Sequence, residues 1–146
     1  MTPQDDSRAV ALTIDGRPLT AEPGAFVLDV ARRAGIAIPT LCHHPDLEPA
    51  GACRLCVVEV GHADWSGWTG LVTACLYPVA PGLIVQTHSP RVLAARRRVL
   101  ALLAAHCPRS AEIRALAETL FSRVTAALAV VGRTRRLRFR EQDLAL

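Results

Sequence analysis

The chain contains no lysine; all seventeen of its basic side chains are arginine. A GC-rich coding genome would leave the same mark, but the physical result is a set of planar guanidinium groups suited to fixed ion pairs at interfaces. Long apolar runs are also missing. The longest Ala/Leu/Val stretch, Val99 to Ala105, is too short to cross a bilayer, so no direct membrane insertion is expected. The opening stretch MTPQDDSRAV carries acids and has no apolar h-region. It does not read as a secretory leader, and the expected location is cytoplasmic. There is no internal repeat and no low-complexity segment. No G-x-G-x-x-G follows a strand-like run, which argues against a nicotinamide or flavin site. Nor does a nucleophile–base pair or a pair of carboxylates lie near the cysteines. No catalytic residue is assigned, and independent catalysis is not expected.

Within 146 residues, 51% of them apolar, there is enough material for one core, or for a small domain with an appended substructure. Charge is unevenly placed. Residues 1–90 carry five arginines against nine acids, whereas residues 91–140 carry twelve against two. So basic a second half calls for an acidic partner: nucleic acid, a membrane surface or another subunit.

Val10 to Ile14 and RPLTAE flank an Asp15-Gly16 turn and read as a β-hairpin. FVLDVARRAG places Val27, Val30, Ala31 and Ala34 at helical spacing, with Gly35 as the stop. CVVEV, Cys56 to Val60, reads as a strand. HADWSGWTG follows as a polar loop, LVTACLY brings in Cys75, and LIVQTHS is the last strand. From Ser89 the pattern turns helical. Ser89 is suited to be an N-cap and Pro90 the first helical residue. Val92, Ala95, Val99, Leu102 and Leu103 form a stripe as far as His106, and Cys107-Pro108 breaks it. A second amphipathic helix from Ser110 puts Ile113, Leu116, Ala117, Leu120, Phe121, Val124 and Leu128 on one face, with Gly132 ending it. The expected division is 1–88 and 89–146, the latter being two helices and a basic tail, Arg133 to Arg140, suited to docking.

Four of the five cysteines stand as C-x10-C-x2-C-x18-C: Cys42, Cys53, Cys56 and Cys75. In a cytosolic chain, clustered cysteines point to metal rather than disulfides. A two-residue gap lets both sulfurs reach one centre while the intervening N–H groups point inwards at thiolate and sulfide charge. Small neighbours, Gly51-Ala52 and Thr73-Ala74, let the backbone approach an inorganic core. Four thiolates suit one tetrahedral zinc ion or the two irons of a [2Fe–2S] cluster. Structural zinc sites usually pair two short knuckles, and only Cys53/Cys56 is short here. The three-then-one layout favours iron–sulfur and leaves zinc open.

PAGACRLCVVEV and TACLYPV, with the cysteine spacing, resemble the N-terminal [2Fe–2S] domain of the large iron–sulfur subunit of respiratory complex I. The same domain occurs in related hydrogenases and NAD-dependent formate dehydrogenases. The resemblance covers roughly residues 10–90. It implies an α+β, β-grasp (ubiquitin-like) ferredoxin fold and one [2Fe–2S] cluster held by Cys42, Cys53, Cys56 and Cys75. In those relatives the next segment carries one histidine and three cysteines for a [4Fe–4S] cluster. Here only His106 and Cys107 stand there. The segment AARRRVLALLAAHCPRSAEIRALAETL is similar instead to small ferredoxin-like subunits of heterodisulfide-reductase-like complexes. The expectation is therefore a one-cluster electron-transfer subunit of a cytoplasmic oxidoreductase of the hydrogenase, formate dehydrogenase, NADH-dehydrogenase-like or heterodisulfide-reductase-like kind. Its partners would be larger flavin- or metal-containing subunits. The competing reading is a zinc-stabilised basic module that binds nucleic acid or scaffolds a complex, although no helix-turn-helix or RRM-like pattern supports it.

Other residues have plainer readings. Cys107 lacks companions and is expected as a buried small hydrophobe or a loop residue. His43 and His44 are expected as exposed loop residues, with a hydrogen bond to a cluster sulfur as the alternative. Trp65 and Trp68 suit packing, capping of the cluster or docking of a partner. Arg96-Arg97-Arg98 covers more than half of a helix circumference, so part of the triplet is ordinary solvation.

Overall fold

The computed structural model describes residues 9–129, with side chains as far as Leu120. It divides into two compact units, one ending at Arg96 and the other beginning at Arg97.

In the first unit, β1 (Val10–Ile14) and β2 (Arg17–Ala21) form the expected hairpin. Asp15 and Gly16 both take positive φ, 50° and 77°, which matches the right-handed twist of the flanking strands. Helix α1 (Val27–Arg33) follows. It stops as Gly35 turns left-handed: Gly35 N–H donates to the Arg32 carbonyl and Ile36 N–H to that of Ala31. After a long irregular passage come β3 (Val57–His62), β4 (Thr69–Thr73) and β5 (Leu83–Gln86). They complete one mixed sheet of order β2-β1-β5-β3-β4, with β1 parallel to β5 and the other pairs antiparallel. This is the α+β, β-grasp architecture expected of the sequence.

The core lies between α1 and one sheet face. Val27, Leu28, Val30 and Ala31 pack with Leu12, Ile14, Val58, Val60, Leu83 and Val85. Val57 and Glu59 alternate to the other face, so β3 is buried on both. That second face meets the start of α2 (Pro90–His106). Ser89 caps this helix as expected, its Oγ accepting from Val92 N–H at 3.3 Å. In the second unit, Cys107 N–H closes on the Leu103 carbonyl and α3 (Ala111–Ala129) begins after Ser110. Ile113 is buried, Leu116, Ala117 and Leu120 are half-buried, and the other described side chains of α3 are exposed.

Two expectations need correction. Strand β4 starts at Thr69, inside the stretch read as a polar loop, because Thr69 to Thr73 pair with Gly61 to Val57. The apolar stripe of α2 holds at Val92, which is buried, and at Ala95, Val99 and Leu103, which are half-buried, but Leu102 is 56% exposed, while Leu100 and Arg96 are buried. Of the two readings of Cys107, the loop residue holds, since it stands exposed just after α2. Phe121, Val124 and Leu128 lie beyond the described side chains, and Gly132 and the basic tail Arg133 to Arg140 lie outside the described residues.

Candidate metal centre

Cys56 and Cys75 are placed by the sheet. The Cys56 carbonyl, just before β3, accepts from Ala74 N–H at 3.1 Å, just after β4. The strand ladder thereby carries the two cysteines to the same end of the hairpin. The loop bearing Cys75 is tied to α1 as well. Its Ala74 and Tyr77 carbonyls accept from Leu28 and Val27 N–H, both at 3.0 Å, and Val79 N–H donates to the Ala25 carbonyl. These bonds satisfy helix-end N–H groups that lack a side-chain cap.

Cys42 and Cys53 stand on the irregular passage. Cys53 N–H donates to Cys42 Sγ at 3.4 Å, and Leu55 N–H to Cys53 Sγ at 3.5 Å. Arg54, between the cysteines of C-x2-C, takes φ of 60°, a left-handed conformation that a non-glycine residue adopts at a cost. It turns the Leu55 N–H back to the sulfur. Gly51 is also left-handed, at φ of 61°, and a Cβ there would run into the Leu76 side chain. Glycine is favoured there chiefly by the dihedral, since the exposed Leu76 side chain can turn aside.

The thiols differ. Burial pushes Cys53 up, but N–H groups of Leu55, Cys42 and Leu41 and the Cys42 side chain outweigh it, leaving its pKa below the usual 9.0. Burial pushes Cys75 up to about 12, reinforced by the Cys56 side chain and by the charges of Cys56 and Cys42, with the Gly51 N–H opposing. Cys42 and Cys53 are thus linked through the Cys53 N–H, while Cys75 feels Cys56 most strongly and Cys42 less. Among the described residues no group of three or more His, Cys, Asp or Glu closes on a single ion-sized point. Two thiolates per iron is the donor set of a [2Fe–2S] cluster, and the inward N–H groups and the Gly51 cradle suit its charge and bulk.

Arg96 was not singled out by sequence reasoning. It is 1% exposed, and its Nη2 donates to the carbonyl of Val57, the residue after Cys56, at 2.8 Å. Among the described residues its Nε and Nη1 have no partner. Burial lowers its pKa to about 10, against the pull of Cys56 and Asp15. Its place inside an Arg-Arg-Arg run hid it, and only its spacing from the buried Val92 and Leu100 could have marked it.

The histidines are engaged elsewhere. Arg32 Nη1 donates to His43 Nδ1 at 2.9 Å, and the exposed His44 accepts from Asp46 N–H at 3.2 Å. Trp65 packs against the core with its ring edge-on to Trp68, which is 62% exposed.

The family model described as a 2Fe-2S iron-sulfur cluster binding domain matches residues 7–90. Over 99 residues, 68% of this chain, the chain is 39% identical to the mitochondrial NADH-ubiquinone oxidoreductase 78 kDa subunit of Neurospora crassa, covering 13% of that protein. It is 38% identical over the same length to NADPH-Fe(3+) oxidoreductase subunit alpha of Geobacter sulfurreducens, covering 11% of it. NADP-reducing hydrogenase subunit HndD of Solidesulfovibrio fructosivorans is 41% identical over 106 residues, again 68% of this chain and 17% of the relative. A crystal structure of an NAD+-reducing nickel–iron hydrogenase in the H2-reduced state superposes with a TM-score of 0.64 at 34% identity, covering 76% of this chain and 48% of that one. The chain therefore spans less than a fifth of the length of these curated relatives. With its β-grasp sheet and the family match over residues 7–90, the chain belongs to the family of 2Fe-2S iron-sulfur cluster binding domains.

Proposed function

We propose that the chain is a one-electron relay within a larger cytoplasmic oxidoreductase, and that Cys42, Cys53, Cys56 and Cys75 hold its [2Fe–2S] cluster. The cluster, when bound, takes up and releases electrons singly. Backbone N–H groups of Cys53, Leu55 and Gly51 aim at sulfur and favour added negative charge there. Cys56 and Cys75 are buried and shielded from water, whereas Cys42 and Cys53 are half-exposed beside exposed Leu41. That open side is where a partner's redox centre would approach. The arginine-rich second half serves to dock a larger subunit that carries flavin or metal.

One observation carries this reading: Cys42 and Cys53 are joined by a backbone N–H, the β3–β4 ladder brings Cys56 and Cys75 to one end of the hairpin, and backbone N–H groups turn onto sulfur. The test is metal and sulfide analysis of the purified full chain. Wild type should be brown-red with about two irons and two acid-labile sulfides per chain. Cys53→Ser and Cys56→Ser should each lose the cluster, and Cys107→Ser should keep the wild-type visible spectrum. A colourless chain with one zinc would overturn the reading, and loss of the spectrum in Cys107→Ser would overturn the ligand set.

A further inference from the structure

The buried guanidinium of Arg96 is the feature the fold alone does not explain. A charge removed from water is costly unless an anion or a full set of hydrogen bonds compensates it. Among the described residues Arg96 has one such bond, to the Val57 carbonyl, and two unpartnered nitrogens. Neighbouring carboxylates are committed elsewhere. Asp15 accepts from both the N–H and the hydroxyl of Thr87, and Glu59 accepts from Ser89, Thr69 and Arg91. The anionic groups within electrostatic reach of Arg96 are the sulfur of Cys56, with the larger effect, and the carboxylate of Asp15, neither of which accepts a hydrogen bond from it among the described residues.

We propose that Arg96 is a positioning residue for electron transfer: a buried counter-cation that stabilises the reduced state of the cluster held beside Cys56 and so raises its reduction potential. Two ferric irons, two sulfides and four thiolates make a dianion, and one added electron makes it a trianion. No proton or bond change accompanies the step. A fixed positive charge in a poorly solvated site favours the more negative state. The same carbonyl bond that holds Arg96 to Val57 fixes that charge at the start of β3, next to the ligand.

The inference rests on the [2Fe–2S] reading, and the two fail separately: iron and sulfide analysis of wild type tests the cluster, whereas the potential is read only on loaded protein. The experiment is an equilibrium titration of the reconstituted full chain with dithionite, followed by visible bleaching and electron paramagnetic resonance. Arg96→Gln keeps a donor for the Val57 carbonyl and removes the charge, while Arg96→Lys keeps the charge. Arg96→Gln should lower the reduction equilibrium constant at least tenfold, about 59 mV for a one-electron couple. Arg96→Lys should stay well within that interval. An Arg96→Gln potential indistinguishable from wild type, or a Lys variant shifted as far as the Gln variant, would overturn the proposal. Should Arg96→Gln fold by circular dichroism yet hold no cluster, Arg96→Lys decides. Retention at the wild-type potential supports the counter-cation, and loss in both variants assigns Arg96 a purely steric role and overturns it.

Discussion

Arg91 and Arg96 both leave the first turns of α2 for strand β3, two residues apart on its outer face. Arg91 reaches Glu59 Oε1 at 2.8 Å, with Ser89 and Thr69 on the same carboxylate. Arg96 reaches only the Val57 carbonyl. The Glu59 end is a closed account of charge and hydrogen bonds, half-open to water on the arginine side. The Val57 end adjoins Cys56, and there the guanidinium keeps two nitrogens unpartnered among the described residues. The polypeptide completes the first site by itself, whereas the proposed cluster would complete the second.

Neutralising each arginine sharpens that difference. In the metal-free chain, Arg96→Met should raise stability by about 1–3 kcal/mol in urea denaturation, because it removes an uncompensated buried charge at the cost of one hydrogen bond. With the cluster bound, the gain should vanish or reverse. A loss in the metal-free chain would show that Arg96 is compensated by the protein alone. Arg91→Met should do the opposite and cost about 1 kcal/mol, since solvent around the half-exposed guanidinium weakens its pair with Glu59. Its cluster spectrum should not change.

The smallest effect is one of pH. The hydroxyls of Ser89 and then Thr69, helped by Arg91 and opposed by burial, hold the Glu59 carboxyl below its usual 4.5. A lowered folded-state pKa means that this stabilisation is complete above 4.5 and is lost as the pH falls through the folded value. Urea midpoints measured from neutral pH downwards should show that loss in wild type, and Glu59→Gln should lack this component. An identical acid slope in both would remove Glu59 from the account.

Much of this was legible in the sequence because the signals are local. The Asp15-Gly16 turn, the Gly35 stop and the Ser89-Pro90 helix start depend on residues within a turn of one another, and each stands where expected. The cysteine spacing carried the candidate site, since two sulfurs separated by two residues are placed by the local chain. What was hidden depends on distant partners. Strand β4 begins at Thr69-Gly70, which reads as loop until β3 pairs with it. Arg54 holds a left-handed conformation with no glycine to announce it. Arg96 sits in a triplet whose other two members are exposed, and only the packing of α2 on β3 tells them apart. Burial of a charge is a tertiary property, and periodicity in a run of arginines does not encode it.

The most direct measurement is spin quantitation on the full chain, purified anaerobically and reduced with dithionite. An electron relay built on a single [2Fe–2S] cluster predicts a brown protein that bleaches on reduction and develops a signal of about one unpaired spin per chain. A chain that binds metal yet stays colourless and spin-silent after reduction would contradict it.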